Sequence, residues 1–194
     1  KHFLDYSFFV DLLNSYDNIN ESNTEKFMVY EIPVIIDYLV KSHHYYLSSR
    51  LPMIEQNLCM QINKFGKKHP LLYVFYEFFL FYKRDLKEHF KEEEDCLFPF
   101  AISLYKNSKK NTLKELKNIK KLQSKALDFI ESHKNKPSEL SSLNEAFLKY
   151  KSKESNSNVF NEILDLLNDF QKDLNIHGQI EDEILVKKIN NLLI

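Results

Sequence analysis

Glycine is nearly missing from this chain: there are two in 194 residues, beside five prolines and no tryptophan. Tight β-turns lean on glycine, so the shortage argues against a hairpin-rich fold. Cysteine is scarce too. Cys59 and Cys96 stand far apart and form no Cys-x-x-Cys pair. That argues against a disulfide framework or a cysteine-built zinc site, and makes a reducing cytoplasm the expected compartment. No run of about 18 uninterrupted apolar residues exists, so no membrane span is expected. The most apolar stretch, 70–82, is short and is interrupted by Glu77. Formal net charge is −1 with both signs interspersed; without a basic arm or patch, a nucleic-acid partner is not expected. The chain opens on Lys1 rather than Met, which leaves open a domain ahead of residue 1.

What is abundant points to helices. Leu and Lys are the commonest residues, Glu and Phe are frequent, and 43% of residues are hydrophobic, enough for one domain with a substantial core. Residues 4–16 read as a short amphipathic helix and 17–26 as a polar linker, so 1–28 is expected to be an appendage packed on a main domain over 29–194. A long helix should run over about 33–64, with Pro33 in its first turn, a kink at Pro52 and an end at Gly66. Its apolar stripe is Ile36, Val40, His44, Leu47, Leu51, Ile54 and Leu58.

A second helix should cover about 70–106, with Phe75, Phe79, Tyr82, Leu86, His89, Glu93 and Leu97 on one face. A third covers about 111–133. After a loop at 133–142, a short helical turn at 143–150 and an exposed segment at 151–158, the last helix covers about 159–192. Its stripe is Ile163, Leu167, Phe170, Leu174, His177, Glu181 and Leu185. Four long amphipathic helices with short loops predict an all-α, up-down-up-down four-helix bundle.

Two of these stripes carry the same pattern. His89, Glu93 and Leu97 are spaced four apart, and so are His177, Glu181 and Leu185. On a helix that spacing sets imidazole, carboxylate and apolar anchor along one face. A carboxylate on a buried stripe is costly unless its charge is compensated, and a cation shared by two such stripes would compensate it. The first helix adds one histidine to its own stripe, His44, which continues the apolar spacing better than its neighbour His43. Counting turns puts the three levels at similar depth. Imidazole and carboxylate together suit iron or zinc, and bridging carboxylates suit paired iron. The Glu-x-x-His pattern of ferritin-like sites and the zinc-protease motif His-Glu-x-x-His are both missing. Phe and Tyr positions of the second helix read as core, Tyr82 and Cys96 among core or boundary residues, and His2 and His69 as surface residues.

Three blocks now stand in order: His43-His44-Tyr45-Tyr46-Leu47-Ser48-Ser49-Arg50-Leu51-Pro52, then His89-x-x-x-Glu93-Glu94-x-x-Leu97-Phe98-Pro99, then His177-x-x-x-Glu181-Asp182-x-x-Leu185. Over residues 30–190 the set resembles the ligand blocks of the hemerythrin-like "repair of iron centres" proteins. The resemblance implies two non-haem iron ions, terminal ligands His44, His89 and His177, and bridging carboxylates Glu93 and Glu181. It also implies a role in recovering iron–sulfur proteins damaged by nitric oxide or oxidants; the other reading it allows is an O2-, NO- or redox-sensing module. Two features depart from the pattern. Early in the third helix the family supplies another histidine, whereas 119–123 here reads Ile-Lys-Lys-Leu-Gln, with Gln123 the only neutral polar stand-in and His133 too far along. Val186-Lys187 takes the place of Phe-Pro in the last block.

Overall fold

A computed structural model describes residues 5–17, 24–110, 112–133, 145, 148–149 and 158–194. Among these, every regular element is helical. Helix α1 is Tyr6–Asp17, followed by a 3-10 segment, Thr24–Val29. Helices α2 (Ile32–Tyr45) and α3 (Leu51–Phe65) are joined through a widened turn at Tyr46–Arg50. Helices α4 (Leu71–Glu92) and α5 (Phe98–Lys109) are joined likewise through Glu93–Leu97. Helix α6 is Leu113–His133. Helix α7 (Asn158–Gln179) runs through a third widened turn, Ile180–Leu185, into α8 (Val186–Leu193). Most of the sequence's 143–158 reading lies outside the described residues.

The widened turns are π-helical. The N–H of Leu51 reaches the carbonyl of Tyr46, that of Phe98 reaches Glu93, and that of Val186 reaches Glu181, each five residues back rather than four. Pro52 and Pro99 follow two of them. Proline has no N–H and crowds the carbonyl four residues before it, and a wider turn relieves both demands without ending the helix. The third turn forms at Val186-Lys187 with no proline, so proline accompanies the feature and is not required for it. Turns of this type gather at functional sites.

The chain divides into two compact units. The first comprises 1–42, 91–136 and 175–194. Its core joins Phe8, Leu12 and Phe27 from the N-terminal segment to Ile35 and Leu39, to Leu97, Phe100 and Ala101, to Ala126 and Ile130, and to Ile180, Leu185 and Ile189. Residues of the expected appendage contribute fully buried rings: Phe8 packs against Phe27, Tyr30 and Tyr38 with centroids 5.0–5.3 Å apart. Offset and edge-on aromatic pairs of this kind add to the stabilisation from burial alone.

The second unit comprises 43–90 and 137–174. Its core is built from Tyr46, Leu51, Ile54 and Leu58, from Leu72, Phe75, Phe79, Tyr82 and Phe90, and from Phe160, Ile163, Leu167 and Phe170. His69, expected at the surface, is buried here, with its ring edge-on to Phe160 at 5.5 Å. No described helix is long and apolar enough to cross a membrane.

Candidate metal centre

Glu93 opens one π turn and Glu181 is the second residue of another, and both are shut away from solvent, at 0% and 1% exposure. Each lies within electrostatic reach of the other. The Glu181 carboxyl is pushed well above the usual carboxylate range, first by burial, then by the Glu93 and Asp182 charges. Two buried carboxyl groups side by side cannot both ionise cheaply, so the pair demands either a retained proton or a cation.

Imidazoles supply the rest of a donor set. His43, Glu93 and His177 each offer one ligand atom, these atoms lie within 4.8 Å of one another, and all three side chains are buried. Ligand atoms around one ion, each about 2.1 Å from it, sit roughly 3–3.5 Å apart, so modest side-chain adjustment closes the set on a cation. Nε2 of His177 also lies 3.9 Å from Glu181 Oε2. Mixed imidazole and carboxylate donors suit iron, zinc or manganese rather than calcium or magnesium.

The surroundings fix these donors. The ring of His43 stacks on Phe90 at 3.9 Å and 10° between planes. His177 meets the hydroxyl of Ser42 through Nδ1 at 2.8 Å, and the ring of Tyr38 lies 6.3 Å away. One turn before His177, α7 is held at Asp173. Tyr46 donates its hydroxyl to the Asp173 carbonyl (3.2 Å), and Arg50 contacts the Asp173 carboxylate through Nε at 3.1 Å and a terminal nitrogen at 2.9 Å. Tyr46 and Arg50 begin and end the first π turn, so that turn is what reaches α7.

The expected ligands are distributed as follows. Glu93 and His177 belong to the converged set, and Glu181 stands beside it, its Oε2 3.9 Å from His177 Nε2. His89 is half-buried and is not among the three converging residues; Phe90 takes the fully buried place beside it. His44 is exposed, and His43 stands in its stead. The reason is the π turn. Counting back from Leu51 in steps of an ordinary helix gives Leu47, His44, Val40 and Ile36. One extra residue in the turn rotates everything upstream by about 100°, giving Tyr46, His43, Leu39 and Ile35, which are the residues at 0–2% exposure. Gln123, the stand-in on the third long helix, is exposed; α6 instead turns Ala126 inward with Leu122 half-buried, and the Leu122 carbonyl is met by the Cys96 thiol at 3.9 Å. Sequence spacing also missed Ser42, whose contact with His177 spans 135 residues and leaves no local signal.

An all-helical chain with buried imidazoles and carboxylates converging beside π turns defines a cation-binding helical protein. The family comparison agrees: residues 35–189 match the model of the hemerythrin HHE cation binding domain, and the chain belongs to that family. Comparison with curated proteins gives no match, and neither does comparison with solved structures.

Proposed function

We propose that this chain is a non-haem iron protein, with iron held by His43, Glu93 and His177 and with Glu181 as the second carboxylate, and that it serves in the recovery of damaged iron–sulfur proteins. One observation carries the iron reading: two imidazoles and a carboxylate, all buried, converge beside a second buried carboxyl whose ionisation is opposed by burial and by the Glu93 charge. Membership of a cation-binding family supports it, and the three sequence blocks support the finer assignment to iron-centre repair. A second iron, in this reading, draws on Glu181 and the half-buried His89. Iron bound there supplies one-electron redox chemistry and coordination positions not taken by protein donors. The chain's own part is to exclude water, to hold the imidazoles by Phe90 and Ser42, and to present two carboxylates whose charge favours a cation over an empty pocket.

One observation favours a second reading, a module that binds small ligands reversibly. Helix α6 turns Ala126 inward and leaves Gln123 in solvent, so it offers the site no donor of its own at that level. Anaerobic reconstitution with Fe(II), followed by metal analysis and a visible spectrum, tests the common core. Iron retained above background in the wild type and lost in Glu93→Ala is expected; no iron in the wild type overturns the proposal. Adding an iron–sulfur protein inactivated by nitric oxide separates the branches, because restored activity supports repair and a spectral change without restoration supports sensing.

A further inference from the structure

We propose that Ser42 is a positioning residue that holds His177 in the Nδ1–H form and so reserves its Nε2 for a cation. The inference rests on the reading of His177 as a ligand. The Ser42 hydroxyl oxygen lies 2.7 Å from the backbone carbonyl of Leu39 and 2.8 Å from Nδ1 of His177. A hydroxyl has one proton and a carbonyl has none. At 2.7 Å two bare oxygens would set lone pair against lone pair, so the Ser42 proton lies toward Leu39 and the hydroxyl donates there. What remains toward the ring is an acceptor. His177 must therefore donate from Nδ1.

A neutral imidazole carries a single N–H, so Nε2 is left with its lone pair. Nε2 is also the nitrogen that faces Glu181, 3.9 Å away. If the ring is protonated, Nδ1 still carries a proton and Nε2 is again the position that changes when a cation enters. Ser42 sits in α2 immediately before His43, itself one of the converging donors. One helical turn thus supplies a candidate ligand and the residue that orients another ligand. Tyr38 meets His177 ring to ring and Glu181 lies on the Nε2 side, so neither of these sets the proton on Nδ1. Outer partners of metal-bound histidines commonly set the tautomer in this manner, and their loss costs 10–100-fold in metal affinity.

Nitrogen-15 NMR of the chelator-treated, histidine-labelled protein at mildly alkaline pH reads the tautomer directly. In the wild type His177 should show a protonated Nδ1 and an unprotonated Nε2. Ser42→Ala should move the proton toward Nε2, and competition with a chelator should show Zn(II) and Fe(II) held about 10–100-fold more weakly. Ser42→Thr keeps the hydroxyl and should restore both the tautomer and most of the affinity, which a loss through packing alone would not predict. A wild-type ring protonated at Nε2 alone overturns the assignment, whether or not the alanine variant folds. So does a Ser42→Ala protein with unchanged tautomer. Wild-type protein with the Nδ1–H ring that nonetheless binds neither ion overturns the iron reading while leaving the role of Ser42 in setting the ring in place.

Discussion

Asp173 and Glu181 lie two turns apart on one helical run, and both are buried. Their surroundings differ. Asp173 meets the Arg50 guanidinium; burial works against that cation, but Asp173 together with Tyr45 and Asp169 more than offsets it, and the Arg50 pKa is raised. Glu181 meets Glu93, a group of its own sign, and its pKa rises. One buried acid thus faces a permanent cation, and the other faces a second acid, with the imidazole of His177 3.9 Å away. Where a protein keeps two acids side by side in its interior, the cost of ionising both is the functional clue, and a lone buried ion pair is not.

Three experiments bear on this contrast. The largest effect is expected at Glu181. A carboxyl with a raised folded pKa stabilises the metal-free fold fully below the ordinary carboxylate range, and that contribution is lost as pH rises through the folded value. Chelator-treated wild type should thus lose thermal stability between mildly acidic and mildly alkaline pH. Glu181→Gln should flatten that slope and raise neutral-pH stability of the metal-free protein by about 1–3 kcal/mol, while weakening cation binding by at least about 10-fold. A wild-type melting temperature that climbs with pH in the metal-free state would contradict the like-charge account.

Next comes the closed pair. Arg50→Met leaves Asp173 buried without its cation and should cost roughly 2–3 kcal/mol in urea unfolding. Adding Asp173→Asn should return most of the loss, and a double variant as unstable as the single would show that Arg50 acts through packing instead. The smallest effect belongs to His44→Ala, expected to stay within about 0.5 kcal/mol of wild type with cation binding intact. His43→Ala is the partner measurement, expected to lose the ion; the reverse result would restore the uninterrupted helical count.

How legible the molecule was depends on where the π turns fall. The last long helix has none before residue 180, and its whole stripe from Ile163 to Glu181 is buried or half-buried as spacing predicts. The first long helix has one in its middle, and there the count slipped by a single residue, selecting His44 over His43. Nothing local signals such a turn, since Val186-Lys187 forms one as readily as Leu51-Pro52 or Phe98-Pro99. The all-α class was plain from composition and periodicity. The burial of His69 was not, because its place depends on Phe160, far away in sequence. Phe8 and Phe27 looked like appendage residues because the polar stretch between them resembles a linker, yet aromatic packing draws both into the first unit's core.

The N-terminal segment has a mechanical aspect. The hydroxyl of Thr24 is hydrogen-bonded to the carboxylate of Glu183, and Lys188 reaches back to the carbonyl of Met28 at 2.8 Å. Glu183 lies inside the turn that carries Glu181, and Lys188 lies three residues past its end. The rim of the turn that holds this buried acid is thus fastened to residues 24–29 by side chains, which makes this early stretch of chain a brace for that turn.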